Sequence, residues 1–193
     1  ERRTLVDGAI RMLVERTEEE RISEEGRKYI EMWSGTHRIL YTPCSDSELY
    51  LAFTMLNDDA EATHLPLNKD AWKRWFPQME GVIERVGDQG HWDAFQYIRL
   101  RKWSKGCVAV IGDAAHALPP NIGQGGGCAM MNALSLATIL SEYTDLEAGL
   151  ADWERRERHV TEHAQKISLW IIIPTTWHPT WRACAFTLAG HSA

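Results

Sequence analysis

The sequence predicts a mixed α/β (α+β) fold in which an antiparallel sheet comes first and helices follow. Three observations carry this prediction. Strand-like runs fill the first half, an apolar run then enters a glycine-rich loop, and helical periodicity dominates the remainder. The chain has 193 residues, of which 44% are hydrophobic and 25% charged, so it can bury a sizeable core.

The elements of the first half follow in order. Residues 7–16 alternate loosely and predict a strand, whereas the charged residues 17–28 predict a solvated loop or short helix. Residues 37–56 contain two β-rich runs around the turn PCSDSE and predict a hairpin. Residues 68–76 predict a short helix that stops before the next proline, and residues 91–100 predict another strand.

The second half begins with GCVAVIGD (106–113), an apolar run that predicts a strand covered on both faces. Residues 126–143 and 145–170 predict two helices. The second helix places Leu146, Leu150 and Trp153 on one face at helical spacing. Two prolines then interrupt the helical pattern.

Charge and cysteine content exclude several classes of function. A net charge of -6 opposes nucleic-acid binding, which needs clustered cations. No apolar run approaches the ~20 residues of a membrane span. We therefore expect no membrane partner. The four cysteines form no zinc-type grouping, so we expect no bound metal. Isolated cysteines predict buried thiols in a reducing, cytoplasmic compartment.

The stretch GDAAHALPPNIGQGGG (112–127) carries the chemistry of the chain. Its glycines permit positive φ and a close approach of the backbone to a flat or anionic ligand. The helix that follows offers unpaired N–H groups and the positive end of its dipole. Asp113 can accept hydrogen bonds from sugar hydroxyls. On the residues alone, a nucleotide cofactor and a tight packing turn are about equally supported.

The whole string resembles the second flavin-binding motif of the class A FAD-dependent aromatic hydroxylases, the p-hydroxybenzoate hydroxylase type. The resemblance implies FAD as cofactor and NAD(P)H as reductant. It also implies oxygen transfer from O2 to an aromatic ring through a C4a-hydroperoxyflavin. No side chain is assigned a certain catalytic role, because the flavin carries the chemistry. Pro120 lines one side of the reaction site. The cofactor-binding residues that it implies are Gly112, Asp113, Pro120, Gly123, Gln124, Gly125, Gly126 and Gly127.

Four upstream segments narrow the resemblance: DGAIRMLVER, IEMW, RILYTPCSDSELYL and AWKRWFP. They are similar to the oxygenases that act on hydroxypyridine carboxylates. The similarity implies that Arg11, Arg38 and Tyr50 bind a small aromatic or hydroxypyridine carboxylate, which is hydroxylated or ring-opened. Arg38 and Tyr50 lie on the two arms of the predicted hairpin and can reach one sheet face. Without the resemblance, both arginines are interpreted as ordinary strand-surface charges.

The resemblance also implies a domain organisation. Residues 1–100 are part of a substrate-binding sheet domain, and 101–150 are the C-terminal part of a Rossmann-like FAD-binding domain. Residues 151–193 form a C-terminal helical tail. The family's first FAD motif, GxGxxG, does not occur in the 193 residues. We therefore expect the missing N-terminal half of the FAD domain to bring the adenosine diphosphate site, and homo-oligomers are compatible with this arrangement.

Other interpretations stay open at this point. HVTEH (159–163) fits a zinc-peptidase pattern, but a solvated helix surface explains it better. His116 is interpreted as structural and satisfied by backbone partners. The chain could also be a non-catalytic binding or scaffold module, or belong to a flavin-dependent reductase that shares the Gly-Asp motif.

Overall fold

The computed structural model of the chain describes residues 1–177 and 179–190. It divides into two units. One, here called the sheet unit, comprises Val6–Ala94 and Thr175–Ala193. The other, here called the helical unit, comprises Glu1–Leu5 and Phe95–Pro174. The last three residues of the predicted C-terminal tail lie outside the described residues.

The sheet unit is built on a five-stranded sheet with the order β2-β3-β4-β1-β5. The strands of this sheet are β1 (Arg2–Glu15), β2 (Ile30–Ser34), β3 (His37–Pro43), β4 (Glu48–Leu56) and β5 (His91–Ile98). The first residues of β1, up to Leu5, and the last residues of β5, from Phe95, are counted with the helical unit. Its helices are α1 (Glu18–Ile22), α2 (Lys69–Trp75), α3 (Glu80–Glu84) and α7 (Pro179–Gly190). The predicted hairpin is confirmed as β3 and β4, which pair antiparallel.

Alternation along the strands places one face of the sheet in the core. Side chains at every second position of β1, β3 and β4 are buried together with the aromatic residues of α2. These fully buried side chains include Ile10, Ile39, Leu51, Phe53 and Trp72. The Phe53 and Trp72 rings meet edge to face with centroids 4.9 Å apart, so α2 is fixed on this face.

Helix α2 forms where the sequence predicts it. The Asn68 side chain accepts a hydrogen bond from the Ala71 N–H and so caps the first turn. The helix ends at Trp75, and Pro77 cannot extend it because it lacks an N–H. The cap and the proline together set the length of this helix.

The helical unit contains a short hairpin and three helices. Its elements are β6 (Ser104–Lys105), β7 (Val108–Ala109), α4 (Asp113–His116), α5 (Gly125–Glu142) and α6 (Leu146–Ile172). Asp145 caps α6 by accepting hydrogen bonds from the N–H groups of Glu147 and Ala148. Trp103 and Trp153 are fully buried between these elements, with ring centroids 5.5 Å apart. No helix among the described residues combines the length and apolarity needed to cross a bilayer.

Two expectations from the sequence are wrong: the covered strand at GCVAVIGD and the burial of all the cysteines. The run GCVAVIGD does not form a strand covered on both faces: β7 pairs only with β6, and Val108 and Ile111 are exposed. A covered strand needs neighbouring strands on each side, and the described residues supply none there. The cysteines are free as expected, but Cys44, Cys107 and Cys184 are exposed rather than buried.

Arg16 joins three segments of the sheet unit. It is 6% exposed, and its guanidinium group donates to the backbone carbonyls of Ser45, Glu20 and Gly26. These acceptors lie on the β3–β4 turn, on α1 and on the loop after it. A rigid guanidinium fork with several fixed acceptors is suited to hold such loops against a strand end.

We predict that Arg16→Met lowers the free energy of unfolding by about 2–4 kcal/mol, because three backbone carbonyls, one of them buried, lose a charged donor. The matched control is Arg27→Met, which removes one hydrogen bond from an exposed arginine to the Arg21 carbonyl. Urea denaturation of both variants measures the difference. Equal midpoints for the two variants would contradict the structural role of Arg16.

Candidate functional site

The glycine-rich loop of the helical unit contains backbone conformations that favour glycine. Gly112 has φ 63° and ψ −150°, and Gly123 has φ 62° and ψ 17°. The first lies in a region that only glycine enters readily, and the second is left-handed helical. These two residues turn the chain from β7 into α4 and then into α5.

The glycines at the start of α5 are not required by the protein's own packing. A Cβ atom added at Gly125 or Gly126 would meet no atom within 4 Å. Gln124, which precedes the helix, makes no side-chain capping hydrogen bond, so the N–H groups of the first turn are open to another acceptor. Open space and unclaimed donors at a helix N-terminus fit a flat, electron-rich group lying against the backbone.

Helix α6 holds the middle of the loop. The Gln165 side chain donates to the Ala117 carbonyl at 3.0 Å, and the Ser168 hydroxyl donates to the Pro119 carbonyl. Asn121 in turn donates to the Ser168 carbonyl at 3.2 Å. The exposed Pro120 therefore sits on a segment that is fixed on both sides. Nothing in the sequence spacing of α6 indicated these contacts.

Asp113 is the first residue of α4 and is exposed. Its carboxylate has no hydrogen-bond or ion-pair partner among residues 1–177 and 179–190. A carboxylate beside glycine backbone can accept hydrogen bonds from the hydroxyls of a sugar-like chain. With the open glycines of α5, it gives the loop the acceptor and the donors that FAD needs, so these residues fit that cofactor.

A buried polar network lies behind the loop. His116 Nε2 is 3.0 Å from the Asn132 side-chain nitrogen, and Asn132 also donates to the Thr161 hydroxyl at 3.2 Å. Trp153 donates to the Asn132 carbonyl at 2.9 Å. His116 is therefore held by a side chain, which corrects the expected backbone partners. Burial lowers the pKa of His116, although the charge of Asp113 opposes this shift.

The register of the sheet unit places the predicted substrate residues on one face. Arg38 pairs with Thr54, and Tyr50 pairs with Leu13 on one side and with Thr42 on the other. Arg11 lies two positions from Leu13 on the same strand, so it points to the same side. We call this side of the sheet, opposite the core, the polar face; it carries Asp7, Arg11, Arg38, Tyr50 and Thr54.

Each arginine of the polar face already contacts a protein carboxylate. Arg11 is partly exposed and forms an ion pair with Asp93. Arg38 is 7% exposed, lies 3.2 Å from Glu31 and covers the Trp33 ring with its guanidinium carbon 5.1 Å from the centroid. Arg38 is thus a buried group and not an ordinary surface charge. Neither carboxylate was identified from the sequence.

Tyr50 and the other candidates complete the description. Burial raises the pKa of Tyr50, and the neighbouring Arg11 partly offsets that rise. In the HVTEH segment, both histidines are exposed and Glu162 is ion-paired with Arg99 and Arg158. Within the described part of the chain, no three His, Cys, Asp or Glu side chains are grouped in a way that could hold a metal ion.

We predict that acidification destabilises the protein through His116. The folded protein favours the neutral imidazole, whereas the unfolded chain takes up a proton near pH ~6.5, so the His116 contribution to stability is lost as the pH falls below that value. His116→Gln should therefore show a smaller loss of unfolding free energy between neutral and mildly acidic pH. Thr161→Val is the control, since it perturbs the same network without removing a titrating group. Equal pH slopes for the parent and His116→Gln would contradict the prediction.

Comparison with known proteins places this geometry in a family. The family model described as "FAD binding domain" matches residues 46–168. One relative is a Rhodococcus erythropolis protein named as a 2-heptyl-3-hydroxy-4(1H)-quinolone synthase. It is 43% identical to this chain over 192 residues, and the match covers 100% of this chain and 50% of the relative. The 2-heptyl-3-hydroxy-4(1H)-quinolone synthase of Mycobacteroides abscessus is 46% identical over 140 residues, covering 72% of this chain and 37% of its own length.

The fold comparison agrees. The solved structure of a tetrameric form of 2-methyl-3-hydroxypyridine-5-carboxylic acid oxygenase matches with a TM-score of 0.81 and 36% identity, covering 87% of this chain and 47% of that one. The chain thus spans about half the length of the relatives that it matches. It combines an antiparallel sheet with helices in the fold of the FAD-dependent hydroxylases. By sequence and fold, the chain belongs to the FAD binding domain family, in the group of FAD-dependent aromatic hydroxylases.

Proposed function

We propose that this chain is the substrate-binding and flavin-ring-binding part of an FAD-dependent monooxygenase that hydroxylates a nitrogen-containing aromatic ring. The observation that carries the proposal is the start of α5, where Gly125 and Gly126 leave open space and the helix N–H groups have no cap. Glycines that no protein atom requires are explained by a ligand that does require them. The family match supports FAD as that ligand.

The loop residues have distinct tasks in this proposal. The N–H groups of Gly125, Gly126 and Gly127 bind the pyrimidine edge of the flavin and stabilise negative charge there. Asp113 accepts hydrogen bonds from the cofactor's hydroxyl-bearing chain, and Pro120 walls the reaction site. Gly112, Gly123 and Gln124 shape the turns that present these groups. When bound, FAD supplies electron transfer from NAD(P)H and the activation of O2.

The charges of the polar face favour a ring without a carboxylate. Arg11 and Arg38, the two candidates for binding a substrate carboxylate, are already neutralised by Asp93 and Glu31. A further anion on this face would meet those carboxylates as well as the guanidinium groups, and like charges in close proximity oppose binding. Two relatives named for a 4(1H)-quinolone product share 43% and 46% identity with this chain. We therefore favour a neutral quinolone-type ring over a hydroxypyridine carboxylate.

The whole enzyme extends beyond these elements in the proposal. Because the chain spans about half the length of its relatives, an N-terminal half of the FAD domain is proposed to bind the adenosine diphosphate part of the cofactor. Val108 and Ile111 are exposed apolar residues beside the glycine-rich loop, and they are available to pack against that N-terminal half. Homo-oligomers are proposed from the tetrameric form of one relative. A reducing, cytoplasmic location is also proposed, and it is supported by the four cysteines being free rather than by their burial.

We predict that Gly126→Val abolishes most flavin binding in the full-length protein and leaves its thermal stability nearly unchanged. A branched side chain would occupy the space that the flavin edge needs, whereas its Cβ atom would have no neighbouring protein atom within 4 Å. Gly81→Val is a matched control because Gly81 is also the second residue of its helix and also has no neighbour within 4 Å. Visible flavin absorbance and the melting temperature are measured for both variants.

Full flavin content in Gly126→Val would place the cofactor elsewhere and contradict the proposal. A parent protein that purifies without flavin would instead support a binding or scaffold module. NAD(P)H oxidation without coupled O2 uptake into a ring product would support a reductase.

We predict that a 2-alkyl-4(1H)-quinolone stimulates NAD(P)H oxidation with a kcat/KM at least about tenfold higher than the same quinolone carrying a ring carboxylate. The physical reason is repulsion from the carboxylates that already pair with the two arginines. O2 uptake and analysis of the hydroxylated product measure how much of the NAD(P)H oxidation is coupled to oxygen transfer to the ring. An equal or higher kcat/KM for the carboxylate, lost in Arg38→Met, would restore the carboxylate-binding role of Arg38 instead.

A further inference from the structure

Helix α5 turns an apolar side outward. Met130, Met131 and Leu134 are 71%, 60% and 63% exposed in the part of the chain that the structure describes. The sequence of α5 contains no charged residue before its last position. A helix on the surface of a soluble protein ordinarily carries charged side chains on its solvent side. We call this outward side the α5 face and define it by Met130, Met131, Leu134, Ala137 and Leu140, which are all exposed.

The polar side chains of α5 find their hydrogen-bond partners within the helical unit. Asn132 and Ser135 bond to side chains of α6. The hydroxyls of Thr138 and Ser141 donate to backbone carbonyls of α5 itself, as short polar side chains in helices commonly do. The polar groups thus face α6 or their own helix, and the outward side is apolar. This is the reverse of the pattern expected for a helix that contacts water.

Exposed apolar residues also adjoin α5 at the entrance to the glycine-rich loop. A Cβ atom added at Gly112 would lie 3.8 Å from the Cβ atom of Ala129, so the chain that enters the loop runs beside α5. Val108 and Ile111, just before Gly112, are exposed. A concentration of exposed apolar side chains on adjoining segments is typical of an interaction surface, because burying them is favourable.

The α5 face begins at the glycines that are proposed to contact the flavin. Gly126, Met130, Leu134 and Ala137 follow one another at intervals of four, four and three residues, so they form one stripe along the helix. Met130 and Leu134 therefore stand about 6 Å and 12 Å along the helix axis from Gly126. Any part of the protein that holds the remainder of the same FAD molecule must approach this stripe.

Two other occupants explain these observations less well. Helices that lie on a membrane surface carry Lys and Arg beside their apolar side, and α5 contains neither. A second copy of the chain could cover the α5 face, but it would not explain why the stripe starts at the cofactor glycines. The relatives, by contrast, are about twice as long as this chain, so they contain a further half that could cover it.

We propose that the α5 face is the docking surface for the N-terminal half of the FAD domain, which covers it with apolar side chains of its own. This inference rests on the proposed function, since the two halves share one FAD molecule in it. Helix α5 then has two roles. Its first turn contacts the flavin ring, and its outward side joins the two halves of the protein.

The first test measures the chemical accessibility of position 134 in the full-length protein. Leu134→Cys and Val160→Cys are treated with N-ethylmaleimide, and mass spectrometry of the individual peptides separates the new thiols from the native ones. Val160 is a matched control because it is an apolar residue in the middle of α6, is 57% exposed and has charged neighbours one turn away. We expect the Leu134→Cys thiol to react at least about tenfold more slowly than the Val160→Cys thiol, since a docked domain must open before the reagent enters.

A charge placed on the α5 face separates docking of the other half from self-association. Leu134→Lys should lower the melting temperature and the flavin content of the full-length protein, because docking would bury an unpaired charge. The number of subunits, measured by light scattering, should stay the same. Val160→Lys should change none of these three quantities. If Leu134→Lys does not fold, Leu134→Ser gives the same comparison with a milder change.

Equal labelling rates for the two cysteine variants would overturn the inference. A Leu134→Lys variant that keeps its flavin and melting temperature but forms a smaller oligomer would assign the α5 face to a second copy and overturn it as well. Flavin content of the parent is recorded separately. Rapid labelling at position 134 in a flavin-containing protein would leave the proposed function intact, whereas slow labelling in a protein that never binds flavin would support the docking surface and contradict the proposed function.

Discussion

The register of the β3–β4–β1 sheet is the constraint on which the sheet unit depends. Burial of Ile10, Ile39 and Phe53 on one face commits the alternate positions of the same strands to the other face. A slip of one residue between β3 and β4 would move Arg38 into the core and expose its apolar neighbours on β3. The free energy of core packing therefore fixes which side chains stand on the polar face.

A second constraint acts on the glycine-rich loop. Gly112 and Gly123 have backbone angles that side chains disfavour, whereas Gly125 and Gly126 have ordinary helical angles and free space. The first pair is explained by the turn itself, whereas the protein's own packing does not require the second pair. Helix α6 and the network around Asn132 hold the loop from behind.

Charge pairing changes the interpretation of the arginines. A guanidinium group on a strand is compatible with surface exposure, with a substrate anion or with a protein carboxylate, and residue type does not distinguish these cases. Glu31 lies on the neighbouring strand and Asp93 is distant in sequence, so their contacts with Arg38 and Arg11 follow only from strand pairing and packing.

The sequence by itself determined the hairpin, helix α2, the two long helices and the family, because alternation, an Asn cap and a dense glycine motif act through neighbouring residues. It also placed Arg38 and Tyr50 on one sheet face, since period-two alternation fixes side-chain direction. Tertiary structure alone decided which groups are buried and which charges are neutralised. It exposed Val108, buried Asp7 and gave His116 a side-chain contact. Burial and long-range pairing depend on which segments meet in space, and no local pattern in the chain encodes that.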